Sequence, residues 1–87
     1  MFYSGMDVHS KVTAFHVLDG AGERLASGTI ETTEEALGAF CRSLKKATWF
    51  FLEASTLSAW VARLIDACGH RVSVVDPNRI RAISGSP

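Results

Sequence analysis

The sequence predicts a mixed α/β sheet of five strands in spatial order 3-2-1-4-5, with elements in the chain order βββαβαβα. Three observations predict it. The first 30 residues carry strand periodicity broken by two tight turns, the pattern of an antiparallel meander. The apolar spacing then switches twice to a helical period, each time followed by a short apolar run. Strands joined through a helix run parallel, so the last two strands belong beside the first, on the side away from the hairpins. A chain of 87 residues has room for one domain, spanning 1–87.

Residues 2–9 alternate Phe2, Ser4, Met6 and Val8 against Tyr3, Gly5, Asp7 and His9, which is the two-residue period of a strand. Ser10 and Lys11 form a tight turn. Residues 12–18 are rich in β-branched and aromatic side chains and make a second strand. Asp19-Gly20-Ala21-Gly22 is a hairpin signal, and residues 24–30 make a third strand weakened by Gly28.

Thr32 followed by Glu35 predicts a capping box, and Leu37, Phe40, Cys41 and Leu44 then mark one face of a helix. Lys45 and Lys46 suit the negative end of its dipole. The run Trp49-Phe50-Phe51-Leu52 is too short for a helix and reads as a strand buried on both faces, ending at Glu53. Thr56 is the expected cap of a second helix with the stripe Leu57, Trp60, Val61, Leu64, Ile65 and Cys68, closed by Gly69. Residues 71–75 form the fifth strand. Asp76-Pro77 pairs an N-cap with a first-turn proline, so a short helix is expected over 78–84, ending at Gly85. This order and connectivity are those of the ribonuclease-H-like fold, which the actin-like ATPase half-domain shares.

Nine basic and nine acidic residues cancel, which excludes a strongly basic nucleic-acid arm and an acidic tail. The charges are uneven along the chain. Residues 1–40 carry two basic and six acidic groups, a net of −4, and residues 41–87 carry seven and three, a net of +4. A basic second half suits a polyanion and an acidic first half suits a metal; an uneven solvated surface accounts for both equally well. Cys41 and Cys68 form no CxxC pair and, with three scattered histidines, make no zinc signature. They read as reduced, half-buried helix residues. The N-terminus lacks the features of a signal peptide, and no apolar stretch approaches the ~18 residues a membrane span needs. A cytoplasmic location without membrane contact is therefore expected.

Asp7 lies inside an apolar strand, and Glu53 ends the most apolar one. Buried carboxylates need hydrogen bonds, a partner charge or a metal. In the expected topology both stand at the C-terminal ends of adjacent parallel strands, where such sheets carry their sites. Two converging carboxylates would suit Mg²⁺ or Mn²⁺. The alternative is structural: Asp7 capping the turn at Ser10-Lys11, and Glu53 capping the next helix or pairing with an arginine. His9, on the same strand face as Asp7, either contacts phosphate, orients an acid or is a satisfied polar residue at a strand end. His16 and His70 read as surface residues. Ser55, Thr56 and Ser58 read as caps, since no GxSxG elbow is present. The Trp60 stripe reads as core. Arg79 and Arg81, with Arg71 near, form either a phosphate-binding or a solvated face.

The segments Gly5-Met6-Asp7-Val8-His9-Ser10-Lys11, Phe51-Leu52-Glu53-Ala54-Ser55 and Val74-Val75-Asp76-Pro77-Asn78-Arg79-Ile80-Arg81-Ala82-Ile83-Ser84-Gly85 occur in order and at spacings that resemble the start of insertion-sequence transposases with a RuvC-like DEDD catalytic domain, also described as bridge-RNA-guided recombinases. The resemblance runs from about Gly5 to Ser86. It implies a ribonuclease-H-like fold and a four-acid metal site, with the first acid at Asp7 and the second at Glu53. The third and fourth acids, in a D-x-x-D motif, and a C-terminal domain with a nucleophilic serine would lie beyond residue 87. The resemblance implies DNA strand cleavage and exchange in transposition, with Mg²⁺ or Mn²⁺ as cofactor and with DNA and a guide RNA as partners. Lys11, Arg71, Arg79 and Arg81 are the expected nucleic-acid contacts. By itself a chain of this length would be inactive, its metal site open to vacancy, and its exposed apolar surface would favour a homo-oligomer.

Two other readings remain. An actin-like ATPase or sugar-kinase fragment shares the opening strand and Asp, but its phosphate turn needs D-x-G-x-[ST], and no glycine follows Asp7 here. A non-catalytic interaction module of the same fold is the other.

Overall fold

The computed structural model describes residues 1–76. The helix expected over 78–84, with Arg79 and Arg81, lies outside them. Five strands, β1 (Phe2–Val8), β2 (Val12–Leu18), β3 (Arg24–Glu31), β4 (Thr48–Glu53) and β5 (Arg71–Val75), form one sheet in the order β3-β2-β1-β4-β5. Helix α1 (Glu34–Ser43) joins β3 to β4, and α2 (Ser58–Ala67) joins β4 to β5. β1 is central. It pairs antiparallel with β2 and parallel with β4, and β5 runs parallel to β4.

The turns follow their chemistry. Asp19 Oδ1 accepts from the backbone N–H groups of Ala21 and Glu23, each at 2.9 Å, which closes the β2–β3 hairpin. Gly69 takes φ +88°, the left-handed conformation that ends α2 and that a side chain would strain. The cap of α1 is Thr33 rather than Thr32: its backbone is extended and its Oγ1 accepts from Ala36 N at 3.1 Å. Thr32 is committed to the sheet, with its N–H on Lys11 O and its hydroxyl 2.8 Å from that of Thr13, so the expected capping box does not form. Nor does Thr56 cap α2. Ser58 Oγ donates to Ser55 O and accepts from Ser55 N, and Ser55 Oγ accepts from Leu57 N.

Both helices pack on one face of the sheet. Met6, Phe50 and Leu52 from the strands meet Leu37 and Cys41 of α1 and Val61 and Ile65 of α2 in a buried core. Phe40 bridges this layer, tilted against Phe15 and edge-to-face with Phe50, with ring centroids 4.5 and 6.3 Å apart. β4 is therefore not buried on both faces. Its residues alternate, with Thr48, Phe50 and Leu52 buried against the helices and Trp49 and Phe51 half-buried on the opposite side. Aromatic bulk on that open side is packed laterally: Trp49 stacks on Phe51 at 5.2 Å and lies 6.4 Å from Tyr3. A two-sided apolar run looks alike in sequence whether helices or neighbouring rings cover its second face.

His70 is half-buried rather than a surface residue. Its Nδ1 accepts from Thr48 N at 3.1 Å, and its Nε2 donates to Cys41 O at 2.7 Å. It thereby ties the start of β4 to the end of α1. No helix among the described residues is long and apolar enough to cross a membrane.

Candidate active site on the open sheet face

The β1–β4 register sets Gly5 beside Phe51 and Met6 beside Leu52. Met6 and Leu52 enter the core, so the next residues of both strands, Asp7 and Glu53, emerge together on the open face. Each stands at the C-terminal end of its strand, and adjacent parallel strands lie about 4.8 Å apart. The expected convergence of the two acids on one face is observed. Their expected burial is not: both are exposed, because the helices cover only the other face. Desolvation therefore does not demand a cation between them.

His9 follows Asp7 on the same side, and its Nε2 donates to Asp7 Oδ2 at 3.0 Å. Both side chains are about two-thirds exposed (68% and 66%), so the contact orients Asp7 with little effect on stability. Asp7 does not cap the Ser10-Lys11 turn through any bond of its carboxylate seen here; that turn closes through His9 N on Val12 O. Behind Asp7 lies a shallow cavity of about 300 Å³ lined by Gly5, Asp7, Ala14, His16 and Phe51. Gly5 creates its floor. The His16 ring lies across Gly5, and a Cβ there would sit 2.7 Å from His16 Cε1. The glycine of the G-x-D segment thus admits the imidazole of the neighbouring strand.

The cations are distributed differently from the acids. Lys11 is exposed on the β1–β2 turn, at the same end of the sheet as Asp7. Arg71 opens β5 opposite Trp49, four residues before the register position of Glu53, which is about 13 Å along the strand. Its guanidinium lies 3.9 Å from the Trp49 ring centroid, and the indole N–H donates to Ser73 Oγ at 2.9 Å. The structure does not bring Arg71 to the carboxylates. Arg79 and Arg81 fall outside the described residues.

His16, read in the sequence as a surface residue, and Phe51, read as part of a buried strand, both line the cavity. The signal available was Gly5 itself, since an interior strand glycine often marks a close approach by a neighbouring group. Among the described residues no group of three or more His, Cys, Asp or Glu side chains gathers closely enough to hold a metal ion. Asp7 and Glu53 offer oxygen ligands only, which suits one Mg²⁺ or Mn²⁺ retaining most of its water. Cys41 takes no part: it is buried under the sheet, and burial, reinforced by the neighbouring Cys68, pushes its thiol up to about 12. Neither a comparison with protein-family models nor one with curated proteins finds a match for the chain.

Proposed function

We propose that the chain is the N-terminal part of a RuvC-like, ribonuclease-H-like catalytic domain of an insertion-sequence transposase or recombinase. In this reading Asp7 and Glu53 are two acids of its nuclease centre. The observation that carries the proposal is the emergence of both carboxylates on one face, at the C-terminal ends of adjacent parallel strands, within the sheet order β3-β2-β1-β4-β5. The same face holds the cavity behind Asp7, and His9 holds one oxygen of its carboxylate. The D-x-G-x-[ST] phosphate turn of the ATPase reading has no counterpart, since the turn here is Val8-His9-Ser10-Lys11.

The complete protein would cleave and exchange DNA strands, directed by a guide RNA. Asp7 and Glu53 would hold Mg²⁺ or Mn²⁺. The metal supplies stabilisation of charge developing on phosphate oxygens. His9 keeps Asp7 oriented through Nε2–H. Lys11, at the same end of the sheet, is suited to a phosphate of the substrate strand. Two acids do not complete a two-ion centre, so the 87-residue chain alone is inactive.

Two measurements test this. In the protein extended by its downstream reading frame, Asp7→Asn and Glu53→Gln should each abolish Mg²⁺-dependent strand cleavage; full activity in either variant overturns the assignment. In the 87-residue chain, Mn²⁺ should broaden the NMR signals of residues around Asp7 and Glu53, and both substitutions should remove the effect. Cleavage by this chain alone, abolished by Asp7→Asn, would show that no further acids are needed.

A further inference from the structure

The ends of α1 and α2 bring together two cysteines that lie far apart in sequence. Cys41, in the last turn of α1, is fully buried, and Cys68, the C-cap of α2, is half-buried. His70 clamps the two helix ends. Its backbone N–H donates to Ile65 O at 3.3 Å, in the last turn of α2, and its Nε2 donates to Cys41 O at 2.7 Å. The carbonyl of one cysteine is thereby fixed to a ring two residues beyond the other. Cys68 packs against the core cluster that contains Cys41, and the two thiols share a hydrogen bond. No CxxC motif makes this pair; the packing of α1 beside α2 does.

The two sulfurs differ in access. Cys68 lines a groove of about 1010 Å³ between the helices, together with Glu34, Arg42 and Arg63, whose exposed charges keep its mouth open to water and small hydrophilic solutes. Cys41 lies beneath it, out of contact with solvent. We propose that Cys41 and Cys68 are a reversible dithiol–disulfide pair, a modification site at which a peroxide staples α1 to α2. The Cys68 thiolate attacks the peroxide from the groove and takes one oxygen. The O–O bond breaks, Cys68 becomes a sulfenic acid, and the other oxygen leaves as hydroxide and takes a proton from solvent. Cys41 then attacks the Cys68 sulfur. The S–S bond forms, the S–O bond breaks, and the hydroxyl departs with the Cys41 proton as water. The two thiols lose two electrons and the peroxide gains them. Burial, which pushes the Cys41 thiol up to about 12, makes Cys41 the resolving partner rather than the first to react. A dithiol reductant reverses the bond by exchange. The inference rests on none of the preceding functional reading.

The test treats the reduced 87-residue chain with a small excess of hydrogen peroxide. Its mass should fall by two hydrogens, both thiols should disappear when titrated in denaturant, and the product should remain a single chain on a non-reducing gel. Dithiothreitol should return both thiols. The oxidised chain should unfold in urea with an equilibrium constant smaller by about tenfold or more, because the cross-link restricts the unfolded state. In Cys41→Ala, shown to be folded by its thermal melt, the sulfenic acid has no partner, and dimedone should trap it on Cys68. Cys68→Ser alters only the half-buried cap and should leave Cys41 reduced under the same treatment. Survival of both thiols overturns the proposal. So does addition of oxygen without loss of hydrogens, or a main product of disulfide-linked dimers. Oxidation of Cys41 in the Cys68→Ser chain also overturns it, since the reaction would then not run through Cys68.

Discussion

His70, Gly5 and Cys41 each carry a testable consequence of their surroundings. His70 satisfies a backbone donor at the start of β4 and a backbone acceptor at the end of α1. His70→Ala leaves both unpaired in a part-buried site and should destabilise the fold by about 1–3 kcal/mol, measured by urea unfolding. Gly5→Ala displaces the ring of the exposed His16, which can swing toward solvent, so it should change stability by no more than about 1 kcal/mol while altering the His16 imidazole NMR signals. Cys41 is held neutral by burial, its pKa rising from 9.0 to about 12. A group raised on folding contributes stability that is fully present below its unfolded value. That contribution should therefore be constant up to about pH 9 and decline between pH 9 and 12, as the unfolded thiol ionises first. A maleimide at neutral pH should label Cys68 in the native chain and reach Cys41 only on unfolding.

At the scale of elements, the start of α1 shows how a local signal is reassigned by its neighbours. Thr32 and Thr33 are both plausible N-caps, and each would be followed by glutamate in the first turn. The β2–β3 edge decides between them, since the Thr13 hydroxyl takes that of Thr32 and leaves Thr33 to cap. Thr33→Ala should lower stability by about 1 kcal/mol and reduce the helical signal in circular dichroism. Thr32→Val should act differently, by orphaning the buried Thr13 hydroxyl while the helix keeps its cap. The apolar stripes of both helices were legible in sequence because one-sided burial imposes a 3.6-residue period. The exposure pattern of β4 was not, because Trp49 and Phe51 are as apolar as the core residues between them. Their cover on the open face comes from each other, Tyr3 and Arg71.

For the whole molecule, placing both helices on one side separates two surfaces with different chemistry. The open face carries the carboxylates and the cavity behind Asp7; the helical layer carries the groove with Glu34, Arg42 and Arg63. Because Asp7 and Glu53 are exposed, their removal should not unfold the chain. Asp7→Asn and Glu53→Gln are expected to change stability by no more than about 0.5 kcal/mol in urea unfolding. A loss of nuclease activity in the extended protein with unchanged stability would then report on chemistry rather than on folding. A large destabilisation would instead give these acids a structural role.

Periodicity, turn residues and the handedness of crossovers were sufficient by themselves to determine the five strands, the two described helices and the sheet order. Each is a local or topological constraint written into spacing. The adjacency of Asp7 and Glu53 was legible for the same reason: both follow an apolar partner of the core by one residue on parallel neighbours. Three things were decided only by the tertiary structure: the exposure of those acids, the stacking of Arg71 on Trp49 away from them, and the bridging role of His70. Each depends on which face the helices occupy and on which side chains from distant segments meet there. A two-residue period separates the faces of a strand, but it does not say what lies against each.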